Sequence, residues 1–398
     1  MRGNGAPGFT PQTMQTEDRS TDTFDPERQR KAREYAGIQR RLFFVELGLG
    51  ALALVLFLVT GASAALRDRA ESISREPWAV VALYGVVLGG AFWLLSLPLD
   101  VYAGYTLPRR YGLLTQTLRG WAADTLKSLA IAGVIGIAGL EVLYFVLRAA
   151  PDWWWLIMAA LLWLFTVAMA QLAPVLLMPL FYRFRPLDEP ELVRRLTALA
   201  ERAGARVRGV YVMDMSSKTP TANAMLAGLG RTRRIILGDT LLSGYTHDEI
   251  ETVMAHELAH HVHRDILRAL AAEAVVITAS MWAASVLMRW GVGVFGFRGI
   301  DDVAALPLFV LAMGVVGLIT MPAANFMSRR RERAADLYAL RTTGNGAAYR
   351  SVMLKLADQN LSDADPPAWV RFLFYSHPPV SERVRTAESF ARAGSIAP

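Results

Sequence analysis

The chain reads as long apolar runs separated by short polar loops, with two larger polar stretches in its second half. Runs long enough to cross a bilayer, which takes about 20 helical residues, occur at 42–66, 78–105, 126–147, 153–181, 266–288 and 303–322. This pattern predicts six membrane spans. Residues 188–205 carry the period of an amphipathic helix. Three β-like runs follow at 207–213, 222–228 and 233–238, and a Gly-containing turn between the last two suggests a hairpin. Thr246 followed three residues later by Glu249 is a capping box, so a helix is expected to start there and continue through the histidines beyond it.

The expected organisation is mainly α. Residues 1–41 form a basic cytoplasmic arm, of which 1–26 lack apolar periodicity and are expected to be disordered. Residues 42–187 hold spans one to four with a cytoplasmic loop at 106–125, and 188–265 form the first part of a polar α+β domain. Residues 266–322 hold spans five and six, and 323–398 complete the polar domain.

Composition agrees with this reading. The chain is 53% hydrophobic and 19% charged, too apolar for an ordinary soluble protein of 398 residues. Basic residues near span ends prefer the cytoplasm. Arg28, Arg30, Lys31, Arg33, Arg40 and Arg41 hold the N-terminal arm inside, the balanced 67–77 loop reads as outside, and Arg109, Arg110 and Arg119 place 106–125 inside. Both polar parts then share the cytoplasmic side. Ala62, Ser63 and Ala64 resemble a secretory cleavage site, but the 42–66 run exceeds the usual apolar core of a signal peptide and follows a long polar arm. The net charge of +7 suits an anionic membrane surface, and no motif points to nucleic acid. There are no cysteines, so a zinc site would have to be built from His, Asp and Glu.

Four of the six histidines fall within residues 256–263, in "HELAHHVH". On a helix His256 and His260 share a face while Leu258 points away into a core. Two imidazoles on adjacent turns can hold one Zn²⁺, with Glu257 beside it to take a proton from water. A catalytic zinc needs a third protein ligand. In "NFMSRRRERAAD", Asn325, Ser328, Arg329, Glu332 and Asp336 line one helix face; Glu332 is the expected ligand, and Asp336 could hold the free ring nitrogen of a ligating histidine. The competing reading has these acids merely paired with the neighbouring arginines. His377, in "YSHPPVSER", is expected to aim a donor at the developing oxyanion with help from Arg383, although a surface histidine in a turn would look the same. His247, His261 and His263 read as bystanders.

The chain resembles the CAAX prenyl protease 1 family of membrane-embedded zinc metalloproteases from about residue 98 to 390. The resemblance rests on "YAGYTLPRRYGLLTQTLRGWAADTLKS" (102–128), "APVLLMPLFYRFRPLDEPEL" (173–192), "TANAMLAGLGRTRRIILGDTLL" (221–242), "HELAH", "SRRRERAAD" and "SHPPVSER". It implies membrane helices around a chamber, with a zincin-like cytoplasmic domain facing into it. It also implies one zinc ion held by His256, His260 and Glu332, with Glu257 as base and His377 and Arg383 on the substrate or transition state; Asn325 and Asp336, from the helix face, are expected in support. The strand at Asn223 and Ala224 would be the edge on which a peptide is laid, which suits a protease that must fix an extended backbone; a buried hairpin strand is the alternative. The family's longer members have seven spans, against six here. Glu46, Glu141 and Glu273 lie inside apolar runs, where a water-filled chamber would account for them.

Three functions therefore compete. Hydrolysis of peptide bonds in membrane-associated or C-terminal peptide substrates leads, a heat-shock-type quality-control metalloprotease shares its chemistry, and a six-span metal-ion transporter with a His-rich loop is the reading from another class. Transport needs ligands inside the spans, and these histidines lie outside them. The richness in Ala, Gly and Arg hints at a bacterial plasma membrane. Neither the natural substrate nor the oligomeric state is written in the sequence.

Overall fold

The computed structural model describes residues 23–228 and 233–394. The most N-terminal part of the expected disordered arm, residues 1–22, lies outside the described residues. Among the described residues, six helices are long and apolar enough to cross a membrane: Pro26–Val59, Pro77–Arg110, Leu118–Ala149, Trp154–Leu180, Asp265–Phe295 and Val303–Thr343. Only 6% to 39% of each span's most apolar window is buried by protein, so these helices are splayed and leave most of their surface to lipid or to an internal chamber.

The first span differs from expectation at both ends. Helix α1 (Pro26–Val59) begins within the expected arm, because the Asp25 side chain accepts hydrogen bonds from the Glu27 and Arg28 N–H groups and Pro26 occupies the first turn. Its start is docked on the polar domain: Arg28 donates to the Asp358 carbonyl (3.0 Å) and Gln29 bonds both Ser362 and Ala364. Residues 26–41 are therefore helical and anchored. At the other end the 42–66 run breaks at Gly61, whose φ of 74° ordinary residues avoid. A separate helix α2 (Ala62–Ile73) follows. Ser63 is buried and bonds the Tyr84 hydroxyl and the Ala304 carbonyl, each at 2.6 Å, so the small-residue stretch packs instead of offering a cleavage site.

The loops sort into two ends of the molecule. Arg67, Glu71 and Arg75 of the first loop, Arg148 in the last turn of the third span and Arg298, Asp301 and Asp302 of the last loop line one cavity of about 500 Å³. Of these, the 67–77 loop is the one whose balanced charge placed it outside. At the opposite end the 106–125 loop meets the polar domain, where Thr115 bonds the Lys218 and Ser216 carbonyls, both at 2.9 Å. Of the intramembrane acids, Glu46 and Glu273 are exposed and Glu141 is half-buried with one carboxylate oxygen lacking a hydrogen bond.

The polar domain combines a four-stranded sheet with helices. Strands β1 (Phe184–Pro186), β2 (Val210–Met213), β3 (Ala224–Ala227) and β4 (Arg234–Gly238) lie in the order β1-β2-β4-β3. The expected hairpin forms as the antiparallel β3–β4 pair, β2–β4 is parallel, and β1 is a strand that the period-2 reading did not mark. One face of the sheet packs on helix α3 (Pro190–Arg202) through Leu192, Leu196, Ile235 and Leu237, all fully buried. Burying four such side chains contributes on the order of 8 kcal/mol before entropy is charged.

Candidate metal centre

Helix α4 (His247–Val262) starts at the expected capping box. The Thr246 side chain accepts from Glu249 N–H and the Glu249 carboxylate accepts from Thr246 N–H. Glu249 is also held by Ser351 (2.6 Å) and Lys355 (2.9 Å), which fix the helix to its neighbour. Its carboxyl sits below the usual value: burial pushes it up, but the Lys355 and Ser351 donors outweigh burial. Leu258 is fully buried in the domain core, so the opposite face carries His256 and His260 towards the long helix α5 (Leu306–Thr343). Ala255, Ala259, Ala335 and Ala339 are all fully buried where α4 and α5 run together. Small side chains let the two backbones approach closely enough for short polar groups to meet.

The geometry is a ladder. Glu332 and Asp336 are one turn apart on α5 and flank the His256 ring: Glu332 Oε2 is 3.2 Å from Nε2, and Asp336 Oδ1 is 2.9 Å from Nδ1. His260 presents Nε2 to Glu332 Oε1 at 3.5 Å. One donor atom from each of His256, His260 and Glu332 falls within 4.8 Å of the others. Glu332 Oε2 is buried and makes no hydrogen bond, an orphan that a cation would satisfy. Burial disfavours a charged His256, yet the Asp336 and Glu332 carboxylates beside its two ring nitrogens raise it to about 9. Burial pushes the Glu257 carboxyl upward, towards the range of a working base.

Arg383 supports this arrangement from behind. Its guanidinium binds Asp336 at 2.6 Å and comes within 3.4 Å of His256 Nδ1. Besides pairing with Asp336, the Arg383 side chain lines a cavity of about 400 Å³ together with His377. His377 Nε2 is 3.4 Å from Glu332 Oε2 and its ring is exposed, which puts it at the open side of the cluster. Asn325 does not join the cluster. Its amide donates to the Leu373 carbonyl at 2.5 Å and ties α5 to helix α6 (Ala368–Phe374), just before the His377 loop. Among the described residues neither acid pairs with the arginines next to it in sequence: Asp336 meets Arg383 and His256, and Glu332 meets the histidines.

Asn223 is exposed and Ala224 opens β3, an outer strand of the sheet that packs beside α4. Of the bystanders, His247 pairs with Glu189 (3.1 Å) and His263 meets the Tyr338 ring edge-on. One residue escaped the sequence reading: Asp265 Oδ2 lies 2.9 Å from His260 Nδ1. Five residues on along a continuous helix would be roughly 140° round from His260. Arg264 takes a left-handed conformation (φ 55°), breaks the helix and swings Asp265 back. Both histidines consequently have a carboxylate on Nδ1, which leaves both Nε2 atoms facing Glu332.

Comparisons with known proteins give the family. Residues 186–391 match the model of peptidase family M48, and residues 12–183 match that described as CAAX prenyl protease N-terminal, five membrane helices. Within 23–183 the chain supplies four candidate spans and the shorter α2. A relative from Bacillus subtilis (strain 168), named uncharacterized metalloprotease YhfN, is 32% identical over 361 residues, 90% of this chain and 84% of its own. CAAX prenyl protease 1 of Saccharomyces cerevisiae is 29% identical over 310 residues, covering 73% of this chain and 68% of its own. The crystal structure of S. mikatae Ste24p shares the fold, with a TM-score of 0.82 at 24% identity over 92% of this chain and 90% of that one. With the two histidines on a helix outside the spans and a peptidase domain around them, the transporter reading falls away. The chain belongs to peptidase family M48 and is a membrane metalloprotease of the CAAX prenyl protease type.

Proposed function

We propose that the metal is a single Zn²⁺ held by His256, His260 and Glu332, and that the chain is an endopeptidase with Glu257 as its general base. The observation that carries this reading is the convergence of both Nε2 atoms on the orphaned Glu332 carboxylate. Two imidazoles and one carboxylate are the donor set of a hydrolytic zinc with an open position, and the absence of cysteine fits it. When bound, zinc supplies positive charge that acidifies water and polarises a carbonyl.

The chain's own groups do the rest. Asp336 and Asp265 fix the two rings so that each presents Nε2, and Arg383 holds Asp336 in place. Glu257 accepts a proton from the attacking water and returns it to the departing amine. A raised pKa suits both halves of that exchange. His377, on the open side, donates to the substrate carbonyl oxygen as negative charge develops there. An extended peptide is laid along the outer edge of β3 and pairs with the main chain of Ala224, beside the exposed Asn223. Substrate side chains enter the cavity beside His377, whose walls include Met353, Leu356 and Val380.

The preferred substrates are peptide segments that reach the centre from the membrane, including C-terminal ones, and the setting is a bacterial plasma membrane with the catalytic domain in the cytoplasm. The basic N-terminal arm and the 106–125 loop support that orientation. Mass spectrometry of membrane-derived peptides from cells carrying the native chain or Glu257→Gln tests the reading. Cleavage products should vanish in the variant while zinc stays bound; undiminished cleavage by a zinc-loaded variant would refute it.

A further inference from the structure

Beyond the metal centre, the polar domain carries a basic cavity of about 740 Å³ where the fourth span ends. Arg183, Arg208 and Arg234 line it together with Tyr182, Phe184 and Tyr211, and no described lining residue is acidic. The Arg234 guanidinium lies 5.1 Å from the Tyr211 ring centroid. Asp214 is close by, but its carboxylate accepts from the Arg183 main-chain N–H at 3.0 Å.

The cavity at the opposite end of the molecule is a useful contrast. It also has four arginines, yet Glu71, Asp301 and Asp302 share its lining, and Arg67 and Arg298 are engaged in ion pairs there. Three acids offset most of that charge, whereas no acid lies among the described lining residues of the 740 Å³ cavity.

Its position says which anion. Pro174, Val175 and Pro179 form part of its wall and belong to the Trp154–Leu180 span. Val175 of this wall and Leu176 and Leu180 near it on the same span are 53%, 57% and 48% exposed, apolar surface that the span offers beside the cavity. Aromatic rings at this level mark the membrane boundary. A ligand with a phosphate at one end and hydrocarbon at the other matches arginines above and leucine and valine below.

We propose that this cavity binds the headgroup of an anionic phospholipid from the leaflet on the catalytic side. The guanidinium groups of Arg183 and Arg234 take the phosphodiester, and the acyl chains lie along Val175, Leu176 and Leu180. Because β3 and β4 border the same cavity through Ala227 and Ile236, the bound lipid also seats the sheet against the membrane.

The test uses the full-length chain in detergent, equilibrated with equimolar phosphatidylglycerol and phosphatidylcholine and read by native mass spectrometry. Phosphatidylglycerol should be retained in preference. Retention should fall on the order of thirtyfold in an Arg183→Gln/Arg234→Gln variant, about fivefold for each arginine. Arg183→Lys/Arg234→Lys should keep most of it, which separates lost charge from misfolding, and Arg75→Gln at the opposite cavity should change nothing. Equal retention of both lipids, or retention unchanged in the Gln variant, would overturn the proposal. So would displacement by soluble glycerophosphoglycerol at equal concentration, which marks a free-anion site, or by an acidic peptide, which marks a peptide site.

Discussion

Two buried Arg–Asp pairs sit at opposite ends of this molecule, and they serve different purposes with the same chemistry. Arg67 and Asp302 meet at 2.5 Å among the loops remote from the metal centre, and Asp302 also accepts the Arg298 and Ala304 main-chain N–H groups. Arg383 and Asp336 meet at 2.6 Å in the catalytic domain, and the other partner of Asp336 is the His256 ring. The first pair ends in backbone and holds loops together. The second ends in an imidazole and sets which nitrogen faces the metal. A buried ion pair is costly to desolvate and weak evidence of stability by itself, so its third partner decides what it is for.

The largest effect that sharpens this contrast lies at the base. Glu257→Gln should reduce kcat by roughly 10²- to 10⁴-fold with zinc content unchanged, as measured by peptide hydrolysis and metal analysis on the same sample. Next come the two aspartates. Asp336→Asn should weaken zinc binding about 10- to 100-fold, whereas Asp302→Asn should leave zinc affinity intact and cost about 3–5 kcal/mol of stability by stranding Arg67. Replacing both members of each pair with apolar residues separates the roles further: Arg67→Met/Asp302→Leu should recover most stability, while Arg383→Met/Asp336→Leu should still bind zinc poorly. Competition with a zinc chelator and thermal unfolding read these outcomes.

A smaller effect concerns the start of the histidine helix. The folded-state pKa of Glu249 is below its unfolded value, so its contribution is present above the ordinary carboxylate range and is lost as pH falls through the folded value. Glu249→Gln should therefore lower the unfolding temperature at neutral pH, at a cost of about 1 kcal/mol, and flatten the loss of stability on acidification.

The sequence and the structure part company in instructive places. Period and length marked the spans, the capping box and the hairpin because each depends on neighbours within a few residues. His256, His260 and Glu332 were readable because a catalytic zinc demands three ligands and few acids lie on a suitable helix face. Asp265 was hidden because its approach to His260 depends on one left-handed residue, Arg264, inside what looked like continuous helix. The docking of Arg28 and Gln29 on the 358–364 loop was hidden for another reason. It joins residues more than 300 apart, which no local pattern records. Arg383 was assigned to substrate from its motif, and only the packing of its helix against α5 revealed Asp336 as its partner.

X-ray absorption at the zinc edge, on native chain and on Glu332→Ala, addresses the central claim most directly. The native spectrum should show two imidazole nitrogens and oxygen ligands, and the variant should lose zinc or replace protein oxygen by water with weakened affinity. A variant that binds zinc stoichiometrically, with the native spectrum and affinity, would contradict a centre built on His256, His260 and Glu332.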